Sequence, residues 1–459
     1  MMKIQLRGKL LQFFVFFAGS INVLLCGLHL GWPSPSVPQL LSSSSVISLT
    51  NDEGSWLASI LLIGGICGAI LSAVILDIIG RKKMMLLTSL ALFGAWLMIA
   101  FAHTVLELYI ARFIAGISDG FVFCCLPLYL AEVGASEIRG FLLSGITVAY
   151  VFGVFLANLL GSFFNIATVA LLSSALSLGA ICSCLFIPES PYFYVINGDI
   201  DKAKISMQLF SGRDAVETSL NIIINDLKEQ KKEKGNWLQV FTDASNRKSF
   251  WTVVLLRFFQ QSTGFIGIVF YTQTLFKSVS ADVSSIVFVS IFYSLQIFGS
   301  IINAVIIDRI GRRPLVIVSM FTIIVALFII TCYFTLQNLS QIDVTMYYWL
   351  LIFGFFLFIV GYSIGLHNIP ILLIGEIFPL HVKAFAAAII DIFYGLFSTM
   401  VSKFFQYTKD EFGVHVPFIA FTICSVCSMP FIIYCIPETK GKTLEEIQNQ
   451  LQNKKKSKI

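Results

Sequence analysis

Within FFQQSTGFIGIVFY, Phe258 to Tyr271, the residues Gln260, Gly264, Gly267 and Tyr271 recur at i, i+4, i+7 and i+11, the spacing of one helix face. That face offers an amide, two sites of close approach and a phenol, a set of donors and acceptors suited to a polyol. Gln261 lies beside it. Each such hydrogen bond contributes a net ~0.5–1.5 kcal/mol, so several are needed and affinity is expected to be weak. The same face would also serve as interhelical glue, and spacing does not separate the two roles. Arg257 falls on the same stripe, three residues before Gln260, about 10 Å from the inner helix end at the α-helical rise. It either snorkels to the head groups or faces a water-filled cleft, where it would admit an anionic solute. Asp119 and Asp391 are candidates to pair with Arg257 or Arg112, or to carry protons. Asn158 is equally a cavity wall or a packing residue.

The remaining charge is sparse and repeats. LDIIGRKK, Leu76 to Lys83, returns as IDRIGRRP, Ile307 to Pro314, so Asp77, Gly80, Arg81 and Lys82 are answered by Asp308, Gly311, Arg312 and Arg313. Glu132 stands seven residues before Arg139, as Glu376 does before Lys383. Pro188-Glu189-Ser190 returns as Pro437-Glu438-Thr439. Three matched pairs in one order indicate a unit duplicated in the same orientation. The carboxylates and bases would form two inner clusters, closed while the inner mouth is shut and broken when the halves rock apart. Charges at loop ends also fix topology by themselves.

Membrane helices must position these residues. Of 459 residues, 57% are hydrophobic and 12% charged, far from the surface needs of a soluble domain. A span takes roughly 20 apolar residues. Twelve are predicted, at 11–32, 55–79, 84–102, 106–130, 141–163, 167–187, 250–276, 284–307, 314–336, 346–378, 385–405 and 416–436. With the N-terminus inside, 26 of 31 Lys and Arg fall in cytoplasmic segments, which places both termini in the cytoplasm. The net charge of +5 is therefore loop bias, and no nucleic-acid partner is implied. Trp32, Trp56, Trp251 and Trp349 are expected at the two interfaces. The basic start at Lys3, Arg7 and Lys9 lacks a small-residue cleavage site and continues as a span. All ten cysteines lie in or beside spans, Cys424 and Cys427 included, which suggests packing rather than a disulfide or metal site. No nucleophile and base pair or ligand cluster stands out, so neither an enzyme, a cofactor nor a metal is expected.

The expected fold is all-α and polytopic, in two parallel six-helix halves. The first half spans 1–187, a cytoplasmic loop 188–249, the second half 250–436 and a cytoplasmic tail 437–459. Two amphipathic helices are predicted in the loop, Asp199 to Phe210 and Ala215 to Lys234, as a latch or a solvated linker. Parallel six-helix halves are the architecture of a rocking transporter with a midplane site. The lipid bilayer is then an obligatory partner. Asn338-Leu-Ser is a candidate outer glycosylation site on a short loop. Nothing in the sequence specifies an oligomeric state.

The Asp77 to Lys82 and Asp308 to Arg313 phrases resemble the signature loop of the major facilitator superfamily. Glu132 to Gly140, Pro188 to Pro191 and PETKG, Pro437 to Gly441, resemble its sugar-porter family. GWPSP from Gly31, ARFIAG from Ala111, PLYLAE from Pro127 and GEIFP from Gly375 are similar to insect-type facilitated trehalose transporters. The resemblance implies a plasma-membrane carrier working by alternating access, with a small sugar as substrate. It assigns sugar contact to Gln260 and Gln261, places Gln296 at a contact position, and sets Thr147 where many members have glutamine. Ser398 falls at another such position, with packing expected. This chain departs from the family at Ile266, Tyr394 and Tyr192, and has His367, Asn368, Ile369, Pro370 and Ile371 in place of a Gly-Pro hinge and an aromatic platform. His29 stands where proton-linked members carry an aspartate, which favours a uniporter. The expectation is facilitative transport of trehalose or a hexose. Its alternatives are a proton-coupled symporter and a transporter-like nutrient receptor or carrier of a non-sugar solute.

Overall fold

The computed structural model describes the chain apart from residues 1, 43–44, 46, 212–215, 218–219, 222, 225–238, 278–283, 340–344, 443–445 and 448–459. The described helices are α1 Met2–Gly31, α2 Pro33–Leu40, α3 Asn51–Ile79, α4 Arg81–Ala100, α5 Val105–Val133, α6 Ser136–Phe163 and α7 Ile166–Phe186. After them come α8 Pro191–Ile196, α9 Ile200–Ser211, α10 Gln239–Thr242, α11 Ala244–Ser262, α12 Phe265–Lys277, α13 Ser285–Ile310 and α14 Arg312–Leu339. The last are α15 Tyr348–Gly361, a π turn at Tyr362–Leu366, α16 Ile369–Ile377, α17 Leu380–Phe412 and α18 His415–Cys435. Among the described residues, twelve spans are long and apolar enough to cross a membrane. Helix is the form that satisfies every backbone group within its own segment where no water can.

Local chemistry marks the boundaries. Thr104 and Glu107 close a capping box at the start of α5, and Asn165 accepts from the Thr168 N–H (2.8 Å) at the start of α7. Trp251, Trp349 and Trp56 are exposed, as an interfacial belt requires. Trp32 is not. It is buried, because the chain continues past Gly31 into α2 instead of ending there.

Contacts divide the chain into two compact units. The first comprises Met1–Trp32, Ser43–Leu49 and Ile60–Lys234. In it α1 and α6 meet backbone to backbone: a Cβ on Gly27 would lie 2.1 Å from the Tyr150 carbonyl, and one on Gly153 2.1 Å from that of Leu24. Helix α9 is held to α1 by the Gln12 amide, which donates to Phe210 O (3.3 Å). Its buried Ala203 and Met207 pack with Val216, Leu220 and Ile223, with Tyr192 against the cluster. The predicted second loop helix lies largely outside the described residues.

The second unit comprises Pro33–Ser42, Thr50–Ser59 and Gly235–Ile459. Ser34 Oγ accepts from the Gln273 N–H (3.1 Å), Ser59 and Ser402 share a hydrogen bond (3.0 Å), and Lys403 pairs with Asp52 (3.2 Å) above the Trp56 ring. The span containing α11 and α12 has 83% of its most apolar stretch buried, against 28% for Asn51–Ile79. This enclosed helix pair carries the candidate site.

Candidate functional site

The two charge clusters have the same construction. Arg81 bonds Asp77 (2.9 Å) and Glu132 (2.8 Å), while Glu189 accepts from the N–H groups of Arg81 (2.9 Å) and Lys82 (3.1 Å) at the first turn of α4. Arg312 bonds Asp308 (2.9 Å) and Glu376 (2.8 Å), while Glu438 accepts from the N–H groups of Arg312 and Arg313 (both 3.1 Å) at the first turn of α14. A carboxylate there meets unsatisfied N–H groups and the positive end of the helix dipole. Gly80 and Gly311 make both arrangements feasible. Their φ values are +90° and +103°, and a Cβ would lie 2.4 Å from Glu189 Oε2 or 2.7 Å from Glu438 Oε2.

Ser190 and Thr439 hydroxyls complete the clusters by donating to Glu132 and Glu376 (2.5 Å each). Neither was singled out in the sequence, although each follows a matched glutamate and so carried the same repeat signal. Burial pushes Glu189 above the ordinary glutamate range against the pull of its N–H donors. Burial acts on Glu438 in the same direction, but the N–H groups of Lys440, Arg312, Arg313 and Thr439 outweigh it and hold that carboxyl low. Among the described residues Arg139 and Lys383 form no ion pair with the carboxylates, although Glu376 acts on Lys383 through space. They donate to the carbonyls of Gly134 (3.1 Å) and Gly375 (2.5 Å).

The candidate substrate stripe is not one continuous helix. It breaks at Thr263 and Gly264, and Tyr271 has φ −116°, ψ 16°. The stripe glycines receive rings: a Cβ on Gly264 would meet Phe421 at 2.2 Å, and one on Gly267 would meet Phe405 at 2.9 Å. Tyr271 stacks on Phe405 (5.4 Å) below the Lys409 ammonium. The two glutamines diverge. Gln260 Nε2 donates to Leu366 O (2.7 Å), and contacts Tyr362 Oη and His367 O (both 3.3 Å). Its Oε1 accepts from Arg257 Nη1 (3.0 Å). Gln261 is fully buried and neither amide atom has a hydrogen-bond partner.

Arg257 also reaches Asp391 (3.3 Å) and lies over the Tyr394 ring (4.7 Å). The π turn that Gln260 grips is a local widening of the helix common at functional positions. Within it Tyr362 stacks on Phe265 (4.0 Å), and the residues just after it are departures from the family pattern: His367 is half-buried, and Asn368 donates to Asn303 Oδ1 (3.0 Å). Gln296 is buried with Oε1 unpartnered, and the Ser398 hydroxyl returns to the Tyr394 carbonyl (2.7 Å).

In the first unit His29 is buried and stacked on Trp96 (3.8 Å between centroids), with neither ring nitrogen hydrogen-bonded. Arg112 donates to the His29 carbonyl and lies over Trp32 (5.5 Å). Asp119 Oδ1 is buried without a hydrogen-bond partner. Asn158 donates to Val154 O (3.0 Å), and Thr147 is half-buried on α6. Asn338, in the last turn of α14, contacts His415 Nδ1 (3.1 Å), while Ser340 of its sequon lies outside the described residues.

Twelve apolar spans, a duplicated charge cluster and enclosed amides on a broken helix are the features of a polytopic membrane carrier. Residues 19–451 match the family described as "Sugar (and other) transporter", and the chain belongs to it. A facilitated trehalose transporter Tret1-2 homolog of Drosophila simulans is 30% identical over 440 residues, 94% of this chain and 90% of that protein. The facilitated trehalose transporter Tret1 of Bombyx mori is 29% identical over 453 residues, 98% and 88% of the two chains. Among solved structures, the proton:xylose symporter XylE bound to 6-bromo-6-deoxy-D-glucose matches with TM-score 0.78 at 20% identity, covering 97% of this chain and all of that one. The inward-open xylose transporter XylE from E. coli matches with TM-score 0.80 at 20% identity, covering 96% and 99%. These structures establish the major facilitator fold.

Proposed function

We propose that the protein is a facilitative transporter of trehalose or a hexose in the plasma membrane, working by alternating access with both termini cytoplasmic. The observation that carries the sugar reading to a particular group is Gln261, whose buried amide offers two donors and one acceptor with no protein partner. A buried amide without a partner is costly, and hydroxyls of a bound sugar would offset that cost. Gln296 Oε1 extends the set. The names of the insect relatives support trehalose and facilitated transport. Purified protein in liposomes is expected to exchange labelled trehalose or hexose without net proton uptake. Failure to move either sugar, while other solutes pass, would sink the reading. Sugar-evoked proton entry would replace uniport by symport.

A further inference from the structure

Asp391 is the only partner of Arg257 among the described carboxylates, and the two differ sharply in access: 4% of the Arg257 side chain is exposed, 46% of Asp391. Helix α17 turns about 100° per residue. Its exposed apolar residues Leu396, Met400, Phe404 and Tyr407 therefore lie about 140–180° around the helix from Asp391. Those residues mark the apolar outer side of α17, and the partly exposed Asp391 carboxylate lies on the opposite side of the helix. It lies eleven residues from the start of α17, about 16 Å along the axis. An unpaired charge at such depth is expensive, and an exposed carboxylate there is a group by which a solute can be judged.

We infer that Arg257 and Asp391 form a charge-selecting pair in the transport site, with Asp391 accepting hydroxyls of an uncharged sugar and Arg257 cancelling its charge from behind. The inference rests on the sugar-transport reading above. A carboxylate only accepts, which suits the hydroxyl donors of a polyol. Arg257 holds one of its oxygens through a single 3.3 Å contact, leaving the other for a solute. The guanidinium is fixed by Gln260 Oε1 and the Tyr394 face, so it stays in place whether or not Asp391 is charged. With the pair neutral, a charged sugar loses hydration and gains no counter-ion. Removing one member leaves the other charge to attract its opposite.

Competition against labelled neutral sugar in proteoliposomes tests this, with glucose, glucuronate and cationic glucosamine as competitors. In Asp391→Asn the potency of glucuronate relative to glucose is expected to rise about tenfold, the effect of one uncompensated charge at short range. Arg257→Gln is expected to raise glucosamine over glucose by about tenfold. The double variant should return to the wild-type order. Unchanged ratios in the single variants, or shifts in the same direction, would mean that the pair only ties α11 to α17. Either single variant decides alone if the other does not fold, because its ratio must move in one stated direction. The same ratios read as ligand-induced shifts of melting temperature separate this inference from the transport reading: a wild type that moves no neutral sugar overturns only the latter.

Discussion

The Gln260 amide donates to acceptors on the π turn and receives Arg257, whereas the next residue, Gln261, keeps its whole amide without a partner. Substitution should separate a holding role from a binding one. Gln260→Ala leaves the Leu366 carbonyl and the Arg257 guanidinium each short of a partner, and is expected to destabilise the protein by about 1–3 kcal/mol, measured as a lower melting temperature. Gln261→Ala removes no protein contact. It should leave the melting temperature nearly unchanged and raise the apparent sugar KM about two- to tenfold, the equivalent of one hydrogen bond. A Gln261→Ala protein that transports normally would remove this residue from the site. Adjacent positions do not tell the two glutamines apart, because the difference arises from a turn about a hundred residues later.

At the scale of elements, each Gly-Arg phrase is the first turn of a helix whose N–H groups are held by a glutamate from much later in the chain. Gly80→Ala forces a side chain to φ +90° and against Glu189, and is expected to cost about 1–3 kcal/mol. A fall in melting temperature matched by Gly311→Ala would confirm that the turns are equivalent. The two glutamates should respond differently to acid. Glu438 has a depressed pKa, so its contribution to stability is present above the ordinary glutamate range and is lost as pH falls through its lowered value. Glu438→Gln should therefore lower the melting temperature at neutral pH, with the deficit shrinking as the wild type loses that charge in acid. Burial raises Glu189, so its contribution to stability is fully present in acid and falls as pH rises through the raised value; Glu189→Gln should therefore show its smallest deficit at neutral pH and none of this acid convergence. Melting curves across pH check both.

Over the whole molecule, the basic residues predict orientation independently of any contact. An epitope at either terminus should be detected only after permeabilisation of intact cells, and detection at the surface would reverse the topology. Apolar runs were legible because the bilayer demands about the same length from every span. The first span is predicted to end at Trp32, but the apolar helix continues through α2 to Leu40 with Trp32 buried. The single face drawn through Gln260 and Tyr271 was also too simple. It assumed regular rotation across Thr263 and Gly264, where the helix breaks to admit the Phe421 ring.

Hydropathy and the three repeated phrases determined that this chain has twelve membrane-length apolar spans and carries its loop charges in duplicate. These are properties of local composition, and no partner is needed to express them. Only the tertiary structure decided that Arg139 and Lys383 donate to carbonyls rather than forming ion pairs, that His29 lies on Trp96, and that Arg257 meets Asp391. Each outcome depends on which side chain a different helix brings within about 3–4 Å, and hydrogen bonds and ion pairs are decided at that range.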